Sequence, residues 1–260
     1  MVARWAHNPK VAGSSPAPAT NLRIYQAAAS IYPFYLRPLK TMEIVYEDNH
    51  ILVVNKRAGE IVQGDKTGDT PLSEKLKEFL KKKYNKPGNV FCGVVHRIDR
   101  PVSGLLVFAK TSKALTRLND MLRKGEIHKS YLALVEGIPE NPSGRLENYL
   151  VSDGRINKTF ISSPDNPEAK KSILEYSVLK AGDRYSLLKV DLITGRKHQI
   201  RAQLSFMGHP IKGDLKYGAR RSNPDGGISL QSASLSFVHP VSKAPLSFHA
   251  PPLPEFKPFI

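Results

Sequence analysis

From residue 43 onward, short apolar runs alternate with polar turns, a pattern of many strands and few helices. EIVYED and ILVVNK, separated by Asn49-His50, read as two strands. Leu72, Leu76, Phe79 and Leu80 then recur at helical spacing behind Thr70-Pro71. This predicts a helix with Thr70 as N-cap, Pro71 at its first position, and Lys75, Lys77, Lys81, Lys82 and Lys83 largely outside. VFCGVV and GLLVFAK are strand-like and bracket HRIDRPVS, which places those polar residues on a loop between buried strands. A second helix is predicted over 112–124, with Leu115, Leu118, Met121 and Leu122 inward and Gly125 at its C-terminal cap. IHKSYLALVEG, INKTFISS, SILEYSVLKAG and RYSLLKVDLIT are further strand candidates. A third helix is expected to carry KHQIRAQLSFMG, opening after Thr194-Gly195, and the tail reads as strand, turn, strand. Strands in mixed order with three helices predict an α+β fold around a mixed, largely antiparallel sheet.

Composition narrows the function classes. With 40% apolar and 24% charged residues, the 260-residue chain can bury a substantial core. No apolar run approaches the roughly 18 residues that a membrane helix needs. Lys and Arg exceed Asp and Glu by 39 to 23, a net charge of +16 that favours a polyanionic partner. Cys92 is the single cysteine, so an intrachain disulfide or Cys-rich zinc site is excluded and a reducing cytoplasm is the expected setting. Residues 1–42 hold five basic residues, no acidic one and no core periodicity, and are expected to be an irregular extension ahead of one domain, 43–260. WAHNPKVAGSSPAPATN resembles a transfer-RNA gene translated in frame, with His7-Asn8 on a CAU anticodon and Gly13-Ser14-Ser15-Pro16 on the T arm. Met42 is therefore the expected start, and removal of residues 1–41 is expected to leave activity and melting temperature unchanged.

Three segments concentrate chemistry. In HRIDRPVSG, Asp99 lies between Arg97 and Arg100, whose charges favour its ionised form; a loop stabilised by local ion pairs is an equal reading. TGRKHQIRAQL gathers Arg196, Lys197, His198 and Arg201 around a predicted helix start, where backbone N–H groups favour anions, though a solvated basic helix end would look the same. In HKSYLALVEG, Tyr131 alternates with apolar neighbours as a core tyrosine would. Cys92 reads as a buried strand residue rather than a nucleophile. His209, His239 and His249 lack metal-ligand spacing, so no metal site is expected.

Together the segments resemble the RluA-type pseudouridine synthases. HRIDRPVSGLLVFAKT is similar to that family's H-R-L-D-R-x-T-S-G-L-L-x-x-A-K signature, KSYLALVEG to its K-x-Y-x-A-x-V-x-G segment, and TGRKHQIRAQLSFMGHPIKGDLKYG to its T-G-R-x-H-Q-I-R block ending in G-H-P-I-x-G-D-x-x-Y-G. The order is the family's, and the resemblance covers 43–260, including SLSFVHPVSKAPLSFHAPPLP. Arg57 in place of a proline, Val102 in place of Thr, and Gln231-Ser232 in place of His-Ala depart from the pattern without touching Asp99, Tyr131 or Arg201.

The resemblance implies the pseudouridine synthase catalytic fold and the isomerisation of specific uridines in structured ribosomal or transfer RNA, without a cofactor. It makes Asp99 the anionic group against the ribose and Arg201 its partner. Tyr131 would stack on the uracil and, less readily for a phenol of pKa about 10, help remove the carbon-5 proton. Arg97 would fill the gap left by the flipped base, with Arg100, Arg196, Lys197 and His198 completing the RNA contacts and His96 orienting the loop. Residues 1–42 are too short and irregular for the small N-terminal RNA-binding domain of many relatives, so the catalytic domain is expected to find its RNA unaided, and a monomer is expected. Two alternatives differ in class: an RNA-binding protein of the same fold without catalysis, which would require damage at Asp99, Tyr131 or Arg201, and a carboxylate-pair glycosidic hydrolase, which would need Asp191 or Asp214 placed opposite Asp99.

Overall fold

A computed structural model describes residues 42–65 and 67–260, so the expectations for residues 1–41 lie outside the described residues. Strands β1 (Glu43–Glu47) and β2 (Ile51–Lys56) precede helix α1 (Leu72–Lys83); β3 (Gly93–Val94) and β4 (Ser103–Ala109) precede α2 (Ser112–Arg123). Five strands follow: β5 (His128–Glu136), β6 (Ser143–Asp153), β7 (Lys158–Ser162), β8 (Lys170–Ala181) and β9 (Tyr185–Leu192). Helix α3 (Gln199–Phe206), a 3₁₀ turn at Leu215–Tyr217, β10 (Leu230–Val238), β11 (Pro245–His249) and a 3₁₀ segment at Pro254–Phe259 complete the chain. The eleven strands form one sheet in the order β1-β2-β4-β10-β5-β9-β8-β6-β7, with β11 on β10 and β3 on β4. Every pairing is antiparallel except β4 with β10, which matches the predicted mixed, largely antiparallel α+β fold.

The continuous apolar runs of β2 and β4 follow from their position in the middle of two cores. Leu52, Val54, Leu106 and Phe108 face one side, packing with Leu72, Leu76 and Leu80 of α1 and Ile200 and Leu204 of α3. Ile51, Val53, Leu105, Val107 and Ala109 face the other, with Ala114 and Leu118 of α2. The same period of two along β5 sends Tyr131, Ala133 and Val135 to the first core and Leu134 to a cluster with Leu187 and Phe256.

Two local expectations are corrected and one strand is added. The α1 N-cap is Pro71 rather than Thr70, and no side chain caps it. Helix α3 starts at Gln199, not after Gly195, because His198 takes a left-handed conformation (φ 52°) and the Gln199 carboxamide bonds to Thr194 and to the Arg196 N–H, holding residues 194–198 as a loop. Strand β6, not anticipated, is exposed or half-buried at all residues except Leu150, so its sequence has little apolar alternation. At α2, by contrast, Thr111 accepts from the Ala114 N–H at 3.1 Å and Gly125 follows with φ 74°, close to expectation.

One glycine is indispensable to the site's placement. Gly104 pairs with Ser232 where β4 meets β10 in parallel, and Ser232 in turn pairs with Tyr131 on β5, so this crossing brings the loop before β4 next to Tyr131. Gly104 has φ +114°, and a Cβ there would lie 2.3 Å from the Ser232 carbonyl oxygen. Gly104→Ala is expected to destabilise the domain by about 3 kcal/mol or more, from strain plus clash. A thermal melt within a degree of wild type would show that the strand crossing is not tight.

Candidate active site

The loop carrying Asp99 is held from beneath at several points. Beyond β3, the His96 ring takes over from the ladder, its Nε2 accepting the Val107 N–H at 3.3 Å. Burial pushes this imidazole down to about 3, so it is a neutral support for the loop. Lys56, 2% exposed at the end of β2, donates from Nζ to the carbonyls of Arg57 and Glu60, both at 2.8 Å, and of Arg100 at 3.1 Å. Burial pulls its pKa down to about 7, but three carbonyl acceptors call for three N–H donors, which only the ammonium has. The Arg100 carbonyl also accepts from the Gly59 N–H, and the Val102 N–H donates to the Asp99 carbonyl, closing the turn. Nothing in the sequence marked Lys56, because a lysine at a strand end ordinarily reads as exposed.

Across the site, α3 presents Arg201, with its side chain 6% exposed. Its Nη1 donates to Asp99 Oδ2 at 3.0 Å, while Nε and Nη2 donate to the two carboxylate oxygens of Asp214 at 2.7 and 2.9 Å. Burial opposes the guanidinium charge, but Asp214 and then Asp99 more than offset it and raise its pKa above the ordinary arginine value. Asp214 is therefore Arg201's counterion, not the second acid of a hydrolase; Asp191 is likewise engaged, by Ser130 and Lys189. Among the described residues, no donor engages Asp99 Oδ1, and the Asp99 side chain is 25% exposed.

His198 and Tyr217 form the floor. The His198 Nε2 lies 3.6 Å from Asp99 Oδ2, and Nδ1 lies 2.9 Å from the Tyr217 hydroxyl, which accepts the Thr159 N–H at 2.8 Å. Burial first, with Arg201 and Lys197 adding to it, brings His198 down to about 4 against the pull of Asp99. The neutral ring thus lies between the Tyr217 hydroxyl at Nδ1 and the Asp99 carboxylate at Nε2. The Tyr217 ring also lies 4.8 Å from the Arg201 guanidinium carbon. Sequence reading did not single out Tyr217; its signal was the Asp-x-x-Tyr spacing after Gly213.

Tyr131 is buried on β5, and both burial and the Asp99 charge hold its phenol above its usual value of 10. The fully buried Ser232 beside it donates to the Leu105 carbonyl at 3.1 Å. Asp99, Arg201 and Tyr131 thus share one site, with His198 buried in it. The other expected RNA contacts are at the surface. Arg97 and Lys197 are exposed without hydrogen bonds or ion pairs among the described residues. Arg100 pairs with Asp69 at 2.6 Å, and Arg196 donates to the Lys171 carbonyl.

The remaining candidates occupy structural positions. Cys92 is buried, with its thiol pushed up to about 12. Among the α1 lysines, Lys75, Lys77 and Lys83 pair with Glu60, Glu74 and Glu47. No group of three or more His, Cys, Asp or Glu side chains among the described residues could hold a metal ion, and no described helix is long and apolar enough to cross a membrane.

Comparison with known proteins decides the family. Residues 50–206 match the family model of RNA pseudouridylate synthases. The chain belongs to this family, in its RluA-type branch. It is 30% identical over 228 residues to an uncharacterized RNA pseudouridine synthase of Mycoplasma genitalium, covering 87% of this chain and 70% of that one. It is 35% identical over 214 residues to ribosomal large subunit pseudouridine synthase C of Vibrio cholerae, covering 80% of this chain and 65% of that one, so it spans about two thirds of such relatives. In fold it resembles human RNA pseudouridylate synthase domain containing 4, with a TM-score of 0.69 and 22% identity over 83% of this chain and 90% of that one. Human RNA pseudouridylate synthase domain containing 1 gives 0.64 and 24%, over 85% and 89%.

Proposed function

We propose that this chain isomerises particular uridines in structured RNA to pseudouridine, using Asp99 and no cofactor. The observation that carries the reading is the asymmetry at Asp99: Oδ2 is tied to Arg201, while Oδ1 has no donor among the described residues and the side chain is partly open. Such a carboxylate is aimed and charged, with one oxygen left for the ribose. It can add to C1′ as the bond to N1 of uracil breaks, or take the proton from C2′ as that bond breaks to give a glycal. Either way the uracil leaves with the bonding electrons, turns, and rejoins C1′ through carbon 5, as the Asp99–C1′ bond breaks in the first case or C2′ takes its proton back in the second; carbon 5 then loses its hydrogen as a proton while N1 takes one up. Bonds and electrons balance within the substrate, so no redox or energy-carrying cofactor is required.

Tyr131, with its phenol held above 10, is a poor base in the free enzyme. Its role is to stack on the uracil. Exposed Arg97 would fill the space of a flipped base, a planar cation suited to stacking. Together with Lys197, Arg196 and Arg100 it would form the phosphate track. The names of relatives such as the Vibrio cholerae synthase make large-subunit ribosomal RNA the first substrate to try, with transfer RNA second.

Because carbon 5 loses its hydrogen, RNA carrying tritium at that position should release it to water when incubated with the purified protein. No release from ribosomal or transfer RNA would refute the reading. Arg97→Ala should slow release from duplex-embedded targets by about tenfold or more while sparing single-stranded ones, since only the former leave a gap. Equal losses on both would remove Arg97 from that role.

A further inference from the structure

Arg201 can present two two-pronged edges to carboxylates, and Asp214 occupies the Nε–Nη2 edge completely. Asp214 is 1% exposed and stands at the start of the 3₁₀ turn that carries Tyr217, with its backbone carbonyl accepting the Tyr217 and Ala219 N–H groups. Its bonds to Arg201 therefore seat the guanidinium above the Tyr217 ring. The charge count matters as much as the geometry. Two carboxylates share one guanidinium, and Asp99 receives a single bond, from Nη1 to Oδ2. In a one-to-one pair the fork would be free to close on both Asp99 oxygens and neutralise the group that must react.

We propose that Asp214 is a positioning residue that acts through Arg201, holding the arginine to one hydrogen bond with Asp99 so that Oδ1 stays free and anionic. This rests on the proposed function, in that Asp99 is the reacting group. With Asp214 removed, Arg201 has no second partner at its Nε edge and turns toward Asp99. The loss is thus expected in the chemical step and not in RNA binding.

The test is a mutant cycle of Asp214→Asn, Arg201→Met and the double variant, reading single-turnover pseudouridine formation, RNA affinity by filter binding, and melting temperature. Asp214→Asn should lower the single-turnover rate about 100-fold, as a misplaced reacting group does, with RNA affinity changed less than threefold. The double variant should be no slower than Arg201→Met alone, because Asp214 works only through Arg201. It should also melt higher than Arg201→Met, since the single change strands a buried carboxylate that the double one removes. A rate within threefold of wild type for Asp214→Asn, or additive losses in the double variant, would overturn the assignment. If the wild-type chain forms no pseudouridine, the proposed function fails, and the melting temperatures decide the pairing alone: no recovery in the double variant overturns it.

Discussion

Asp99→Asn is expected to lower pseudouridine formation by about 10⁴-fold or more while preserving the fold and the affinity for RNA. The amide keeps the volume and shape of the carboxylate but not its charge, and losses of this size follow removal of a group that reacts covalently or takes a proton in the rate-determining step. The fold should tolerate the change for a specific reason. Arg201 retains Asp214 as its counterion, so no buried charge is stranded. Circular dichroism, a thermal melt and filter binding against single-turnover rates would separate these outcomes. A variant that still turns over within tenfold of wild type would remove Asp99 from the chemistry.

Arg201→Met should differ in kind, because it damages two things. Asp99 loses its aim and its nearest donor, so activity should fall at least 10³-fold, comparable with removing a preorganised donor from a water-poor site. Asp214, 1% exposed, loses its partner as well. A buried carboxylate left unpaired costs about 3–5 kcal/mol, which in a domain of this size lowers the melting temperature by roughly 10 °C. The contrast between an inactive but stable Asp99→Asn and an inactive, destabilised Arg201→Met is the signature of the shared guanidinium. Equal stability of the two variants would contradict it.

What the sequence made legible, and what it hid, divides along physical lines. The loop with Asp99 was readable because two apolar runs flank it, and β2, β4 and α2 were readable because burial on one or both faces imposes a period. The gathering of Asp99, Tyr131 and Arg201 was readable only through the resemblance, since no period links residues about thirty and seventy positions apart. The start of α3 was misplaced because it depends on a left-handed His198 and a side-chain clamp by Gln199, neither of which leaves a pattern. Strand β6 was missed because its residues, between β8 and β7, are nearly all exposed or half-buried and show little apolar alternation. Lys56 and Asp214 were opaque for a common reason. Each is polar and nearly inaccessible, and each has a partner that sequence proximity does not reveal: the Arg100 carbonyl for Lys56, beside the local Arg57 and Glu60 carbonyls, and Arg201 for Asp214. The sequence did show where Asp214 stands, but only contact with Arg201 reveals that it serves as a counterion rather than an acid.

The central claim is that this chain converts chosen uridines in RNA through Asp99, and pseudouridine mapping in total RNA tests it most directly. RNA from a strain lacking the gene should lack a small, discrete set of pseudouridines present in its parent. Purified wild-type protein should restore that set in vitro, and Asp99→Asn should not. Identical maps for the two strains, or restoration by the asparagine variant, would contradict the account.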